Sequence, residues 1–154
     1  MSDIQFNVTL NDPFNYDISG IVWDAVHRWE SIITTKASHI SSMNLNIDIS
    51  SLPVNVLGSA SPTADYIDLN GNYMWDTGEP INVTGGNITF NESAIEGMRD
   101  SLRDDGNSTL YYVVLHEIGH VLGIGTLWSY YHSLPFDSLT ETYVDVSDNN
   151  LNKI

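Results

Sequence analysis

The chain has 154 residues, enough for one domain with a buried core, and its hydrophobic content of 42% is that of a globular protein. Only 5 Lys and Arg face 20 Asp and Glu, and the formal net charge of −15 argues against a nucleic-acid partner. There is no Cys, so disulfides and thiolate metal ligands are excluded, and no apolar run approaches the roughly 20 residues of a membrane span.

The charge and the N-terminal segment bear on the setting of the protein. An acidic surface keeps chains apart and predicts a soluble monomer. The opening residues MSDIQFNVTL lack the basic and apolar regions of a signal peptide. The chain is therefore either cytosolic or a mature form from which a signal has been removed.

Hydrophobic periodicity predicts two strands and a helix in the first half of the chain. Residues 5–10 and 43–49 alternate between apolar and polar side chains, as strands with one buried face do. Between them, apolar residues recur every three or four positions over 17–34, which predicts an amphipathic first helix. Residues 57–81 are rich in Gly, Ser, Asp and Asn and predict mostly loop.

The second half predicts one short strand and two helices. Residues 87–90 are typical of a strand, and Asn91 is predicted to cap a helix that runs to about Arg103. A further helix is predicted over 110–122, with Gly123 as its stop. The order of elements predicts a single α/β (α+β) domain over residues 1–154, with a small twisted mixed sheet.

The helix over 110–122 carries the sequence His-Glu-Ile-Gly-His. His116 and His120 are four residues apart and share one helical face, where two imidazoles can bind one Zn²⁺. Glu117 points in a neighbouring direction and is predicted to act as the general base on a metal-activated water. The alternative is a helix with two packed or surface histidines, which leaves unexplained why three polar residues stand on an otherwise apolar helix.

Residues 116–123 resemble the first part of the metzincin signature, H-E-x-x-H-x-x-G, and 124–128, Ile-Gly-Thr-Leu-Trp, are similar to leishmanolysin-like metallopeptidases. Residues 25–33 resemble the first helix of these enzymes, and 58–63 resemble a loop after their second strand. The resemblance implies a metzincin-like zincin domain with an active-site helix. It also implies that 85–91 is the edge strand that binds an extended substrate.

The substrate-binding residues implied by that edge strand are Gly86, Asn87, Ile88 and Thr89. They would pair with the backbone of a peptide or protein substrate as an added β-strand.

The third zinc ligand departs from the common pattern. Most metzincins place a third His three residues beyond the Gly, where this chain has Thr126. In leishmanolysin-like members that ligand follows an insertion, and His132 is the candidate here; the alternative is a surface residue in an aromatic loop. No Met follows Met98, so the Met-containing turn of the family is missing and the domain is expected to be either truncated at its C-terminus or naturally minimal.

Residues 68–79 match the ligand spacing of an EF-hand calcium loop. Side-chain oxygens would come from five residues and one carbonyl from Met74; the five are Asp68, Asn70, Asn72, Asp76 and Glu79. Tyr73 stands at the sixth position, where Gly normally makes the sharp turn. The alternative is an ordinary turn rich in Asp, Asn and Gly. A calcium site favours an extracellular setting.

Two functions follow from these motifs. The first is a zinc-dependent metalloendopeptidase that hydrolyses peptide bonds, with Zn²⁺ and Ca²⁺ as cofactors and Glu117 as general base. The alternative is a calcium-stabilised binding or scaffold module derived from a peptidase and catalytically weak or inactive.

Overall fold

A computed structural model describes residues 4–33, 42–74, 76, 79, 81–127, 136–137, 142–145 and 152–153. These residues form a mixed α/β fold with a four-stranded mixed sheet and three helices. The sheet contains β1 (Gln5–Asn11), β2 (Ser42–Ser50), β3 (Gly58–Tyr66) and β4 (Ile81–Asn91), and the helices are α1 (Ser19–Ile32), α2 (Glu92–Asp100) and α3 (Thr109–Val121). A second antiparallel sheet contains β5 (Phe136–Asp137), β6 (Thr142–Asp145) and β7 (Asn152–Lys153).

The strands of the first sheet stand in the order β1-β2-β4-β3. The first two neighbouring pairs are parallel, and β3 runs antiparallel to β4. The prediction of loop over 57–81 is wrong for its first part, which forms β3. This strand lacks the alternating apolar pattern because its side chains are mostly small or polar. It also contains Pro62, which an edge strand tolerates.

The prediction that Gly86, Asn87, Ile88 and Thr89 form the edge strand is also wrong. These residues lie in β4, which pairs with β2 on one side and with β3 on the other. Their backbone groups are committed to two neighbours, so an added peptide strand cannot pair with them. In the described part of the chain β3 pairs with β4 alone, and β3 is the edge strand next to α3.

The sheet has one buried and one exposed face, as the alternating pattern of β2 predicts. Leu45, Ile47 and Ile49 are buried in the core against the helices. On the opposite face, amide side chains bridge neighbouring strands, for example from Asn46 to Asn87 at 3.2 Å. The helices therefore cover one face, and the other faces solvent.

The three predicted helices are confirmed, but their ends differ from the predicted residues. The first predicted helix, 17–34, is α1, which is shorter at both ends. Asn91 caps α2 as predicted, because its side-chain oxygen accepts a hydrogen bond from the backbone N–H of Ser93 at 3.2 Å, but α2 ends at Asp100 rather than near Arg103. Within the described residues no helix has the length and apolar character needed to cross a bilayer.

Candidate active site

The residues His116, Glu117 and His120 lie on α3, which corresponds to the predicted helix over 110–122. Ser108 caps its first turn, since its hydroxyl oxygen accepts the N–H of Tyr111 at 3.2 Å. One face of α3 is fully buried, and its residues are Leu110, Val114, Ile118 and Val121. Burial of this stripe fixes the rotation of the helix and therefore the direction in which its polar residues point.

Helix α1 packs across α3 and holds it in place. The indole N–H of Trp29 donates to the backbone carbonyl of Leu115 at 3.0 Å, one residue before His116. The same ring lies close to Gly119, where a methyl group would stand 3.5 Å from Cζ2. This contact ties the active-site helix to a second element at the level of the two histidines.

The two histidines converge at their Nε2 atoms. These atoms are 3.0 Å apart, and the rings meet edge to face with centroids separated by 4.5 Å. Two nitrogens bound to one zinc ion at about 2.0–2.1 Å with tetrahedral angles lie about 3.3 Å apart. The observed separation is therefore close to that of a pair that shares one ion.

The turn after α3 sets the tautomer of His120. Gly123 has φ +93°, and the N–H groups of Ile124 and Gly123 donate to the carbonyls of Gly119 and His120, both at 3.0 Å. This pattern is a Schellman motif, for which the positive φ of glycine is suited. It brings the carbonyl of Ile124 within 2.9 Å of Nδ1 of His120.

A carbonyl oxygen only accepts hydrogen bonds, so Nδ1 of His120 carries the proton and donates it. The neutral ring then keeps a lone pair on Nε2, the atom that faces His116. Metal-ligating histidines are commonly oriented in this way by a hydrogen bond from their other nitrogen. The donor chemistry of the pair thus fits a zinc ion.

Glu117 is the buried member of the motif, with only 6% of its surface exposed. Burial raises the pKa of its carboxyl group above the usual value, and the neighbouring His116 and His120 lower it by less. A carboxylate with a raised pKa beside two metal-type ligands is the environment expected of a general base.

Gly58, the first residue of β3, makes room for Glu117. A methyl group at Gly58 would lie 2.9 Å from Oε1 and 3.1 Å from Cγ of Glu117. Gly58→Ala is therefore expected to displace the carboxylate of Glu117 from this position. A crystal structure of the variant measures the displacement.

The matched control for this substitution is Gly20→Ala, since a methyl group at Gly20 meets no atom within 4 Å. The free energy of unfolding of Gly58→Ala should stay within about 1 kcal/mol of the parent, because the side chain of Glu117 moves and no backbone has to. An unmoved Glu117 carboxylate in Gly58→Ala would contradict the close contact between these two residues.

Two positions bear on the third zinc ligand, Thr126 and the predicted ligand His132. Thr126, at the position of the common third His, donates its hydroxyl to the backbone carbonyl of His120 at 2.8 Å and so completes the helix end. His132 lies outside the described residues. Across the described ranges no group of three or more His, Asp or Glu side chains is arranged to hold a metal ion.

Two cavities border the edge strand. One, here called the Glu117 cavity, has Val113, His116 and Glu117 of α3 on one wall and residues 55–58 on the other, with Tyr112 and Arg103 completing its lining. The second is lined mainly by residues near the far end of β3 and by the turn after α3; they include Pro62, Tyr66, Ile81, Thr126 and Leu127. His116 and Glu117 therefore face the beginning of β3.

The predicted calcium loop is a compact turn of mutually bonded polar groups. The carboxylate of Asp68 accepts the backbone N–H of Gly71 at 2.6 Å and that of Tyr73 at 2.8 Å. Glu79 is 8% exposed, and its two oxygens accept the N–H groups of Leu69 at 2.7 Å and Asp76 at 2.9 Å. These bonds draw the first and last predicted ligands into one loop.

The amide side chains complete the turn. Nδ2 of Asn70 and Nδ2 of Asn72 each donate to Oδ2 of Asp76 at 2.6 Å, and the N–H of Met74 donates to Oδ1 of Asn72 at 2.7 Å. Backbone N–H bonds, chiefly that from Tyr73, lower the pKa of Asp68 below its usual value. All six predicted calcium ligands thus lie within one turn.

Tyr73 makes the turn that glycine makes in the usual loop. Its φ is +62°, in the left-handed region that costs a residue with a side chain about 1 kcal/mol. The strained conformation is held by the hydrogen bond from its N–H to Asp68. The Tyr at the sixth position therefore raises the conformational energy of the loop, but the backbone still makes the same turn.

Sequence reasoning did not find Gly58 or Arg103 as site residues. Neither lies in a motif of catalytic or metal-binding residues. Gly58 is at the start of β3 and Arg103 is in the turn before α3, and packing of these elements brings both residues to the Glu117 cavity. A signal for Gly58 existed in the resemblance of residues 58–63. For Arg103 the only signal was its rarity, as one of 5 basic residues.

Comparisons with protein-family models, curated proteins and solved structures found no match to this chain.

Proposed function

We propose that this chain is a zinc-dependent metalloendopeptidase with a metzincin-like, leishmanolysin-like zincin domain. The observation that supports it best is the convergence of His116 and His120, whose Nε2 atoms are 3.0 Å apart, next to the buried Glu117. The hydrogen bond from Nδ1 of His120 to Ile124 adds to this support, because it leaves Nε2 free to bind a metal.

The proposed chemistry divides between the metal and the chain. Zinc, when bound by His116, His120 and a third ligand, proposed to be His132, would polarise the scissile carbonyl and acidify a water molecule. Glu117 would accept the proton of that water on its carboxylate and donate it to the leaving nitrogen. Its low exposure keeps bulk solvent away from the proton in transit.

The substrate is proposed to lie along β3 and not along β4. An extended peptide can pair with the edge of β3 that has no partner strand among the described residues, which runs from the Glu117 cavity to the second cavity near Tyr66. The backbone of β3 begins at Gly58, against the carboxylate of Glu117, so a peptide paired there would pass the proposed base.

Calcium is proposed as a structural cofactor of the turn from Asp68 to Glu79. The carboxylates of Asp68 and Glu79, the first and last proposed ligands, both accept backbone N–H groups of this turn, so their oxygens point into it. Rotation of the amides of Asn70 and Asn72 would turn oxygen instead of nitrogen toward Asp76. Free calcium is plentiful outside cells, so an extracellular setting is part of this proposal.

A second candidate function is a calcium-stabilised binding or scaffold module with an incomplete zinc site. One observation favours it: Thr126, which takes the place of a common third ligand, is bonded to the carbonyl of His120. Two histidines alone bind zinc more weakly than three.

Zinc stoichiometry and proteolysis together separate the two candidates. We expect one zinc per chain, cleavage of an unfolded protein such as casein, loss of cleavage with 1,10-phenanthroline at constant calcium, and recovery when zinc is added back. His132→Ala should weaken zinc binding. A stable chain that takes up calcium but no zinc and cleaves nothing would establish the second candidate instead.

A further inference from the structure

The Glu117 cavity contains a cationic side chain that the proposed chemistry does not use. Arg103 lines the same cavity as His116 and Glu117. It is one of only 5 Lys and Arg in a chain of net charge −15. A lone cation in this position next to the proposed reaction centre points to a role in binding.

Arg103 is held by a tight turn directly before α3. Its N–H donates to the carbonyl of Asn107 at 2.8 Å, and its carbonyl accepts the N–H of Gly106 at 2.9 Å. The guanidinium lies over the ring of Tyr112, 4.8 Å from the centroid, a cation–π contact. Backbone and side chain are thus both fixed relative to the helix that carries His116.

The nearby carboxylate of Asp105 is engaged elsewhere. It accepts the hydroxyl of Tyr112 and, at 2.8 Å, the side-chain N–H of Asn107. In the described part of the chain the one side-chain ion pair joins Arg99 and Asp100. The guanidinium of Arg103 therefore has its hydrogen-bond donors available to a ligand.

We propose that the Glu117 cavity selects substrates with a carboxylate close to the scissile bond and that Arg103 is the specificity-determining residue. The inference rests on the proposed peptidase function. A guanidinium binds a carboxylate through two parallel N–H bonds, and the apolar side chains of Val56, Leu57 and Val113 suit the methylene groups of Glu. The net charge repels acidic peptides at long range, so their selection must come from this local contact.

The carboxylate can belong to an acidic side chain or to the end of the substrate, and the peptides distinguish the two. One series is blocked at both ends and carries Glu or Gln at each of the three positions on either side of the scissile bond. Another carries Gln throughout and has a free carboxyl end. Assays at about 0.15 M salt screen the net charge of the chain.

We expect the chain to cleave the best blocked Glu peptide about tenfold better in kcat/KM than its Gln partner, because an exposed charged hydrogen bond is worth about one factor of ten. Arg103→Gln should bring that ratio to about one, and Arg103→Lys should keep part of it. Arg28→Gln, which removes the same charge from an exposed position of α1, should leave the ratio unchanged. A preference for the free-ended peptide instead would assign the site to the chain terminus.

Equal cleavage of Glu and Gln peptides by the parent chain would overturn the inference and leave the peptidase proposal standing. If nothing is cleaved, the peptidase proposal fails. Peptide binding then still tests whether the cavity recognises a carboxylate. Fluorescently labelled peptides are then titrated with zinc-loaded Glu117→Gln, with and without Arg103→Gln. Tighter binding of Glu peptides that depends on Arg103 supports the carboxylate site, and equal Kd values overturn it.

Discussion

Glu117→Gln should lower kcat/KM for an unfolded protein substrate by about 10²- to 10⁴-fold and leave zinc bound. The amide has the shape of the carboxylate but cannot accept the proton of water, and general acid–base catalysis contributes on that scale. Both histidines are retained in this variant, and the ring of His120 stays oriented by the carbonyl of Ile124. Cleavage of a labelled protein and metal analysis of the same sample measure the two effects.

The stability of Glu117→Gln provides an internal check. Glu117 is buried, and burial raises the pKa of its carboxyl group, so a neutral amide removes the cost of a buried charge. The melting temperature should therefore be equal to or higher than that of the parent. Glu96→Gln, on the exposed face of α2, is the control for loss of one charge and should cleave normally. Full activity in Glu117→Gln would exclude the proposed base.

Elements with a clear periodicity could be predicted from the sequence. In β2 every second residue is apolar, and Leu45, Ile47 and Ile49 are buried as the alternation requires. The first helix and the cap at Asn91 follow from equally local rules, spacing and side-chain hydrogen bonding. Local chemistry determines such features, with errors of one or a few residues at their ends.

The order of strands in the sheet could not be predicted in this way. Among the four strands of the first sheet β4 is the last in chain order, but it lies between β2 and β3. No residue of β4 signals two partners, and its Gly85 and Gly86 resemble turn residues as much as strand residues. The edge strand β3 has small side chains and a proline, so its own sequence does not predict a strand. It forms one because its backbone pairs with β4.

In the candidate site too, local spacing predicts some features, and others depend on how distant elements pack. The spacing of His116 and His120 on one helix predicts their convergence, and the structure gives their Nε2 atoms a separation of 3.0 Å. Gly58 contacts Glu117 from β3, and Arg103 lines the same cavity from the turn before α3, so local spacing predicts neither relation. Contacts between elements distant along the chain depend on packing, which periodicity does not specify.

Calcium should raise the melting temperature by about 5–10 °C. Calcium at about 100 times its Kd stabilises the folded chain by about 2.7 kcal/mol, and each kcal/mol shifts the melting temperature of a domain this size by about 2–4 °C. The physical reason is the loop from Asp68 to Glu79, in which the carboxylates of Asp68, Asp76 and Glu79 each accept hydrogen bonds within one turn. Differential scanning calorimetry with increasing calcium measures the shift.

Variants of the loop test whether calcium raises the melting temperature by binding to this loop. Asp68→Ala and Glu79→Gln should lose the shift, and Asp104→Asn, an exposed residue outside the loop, should keep it. Tyr73→Gly removes the left-handed strain at φ +62° and should tighten calcium binding, because the chain then makes the same turn at lower cost. Magnesium at equal concentration controls for screening of the net charge of −15. An equal shift with magnesium, or an undiminished calcium shift in Asp68→Ala, would mean that the cation acts on the whole acidic surface and not on this loop.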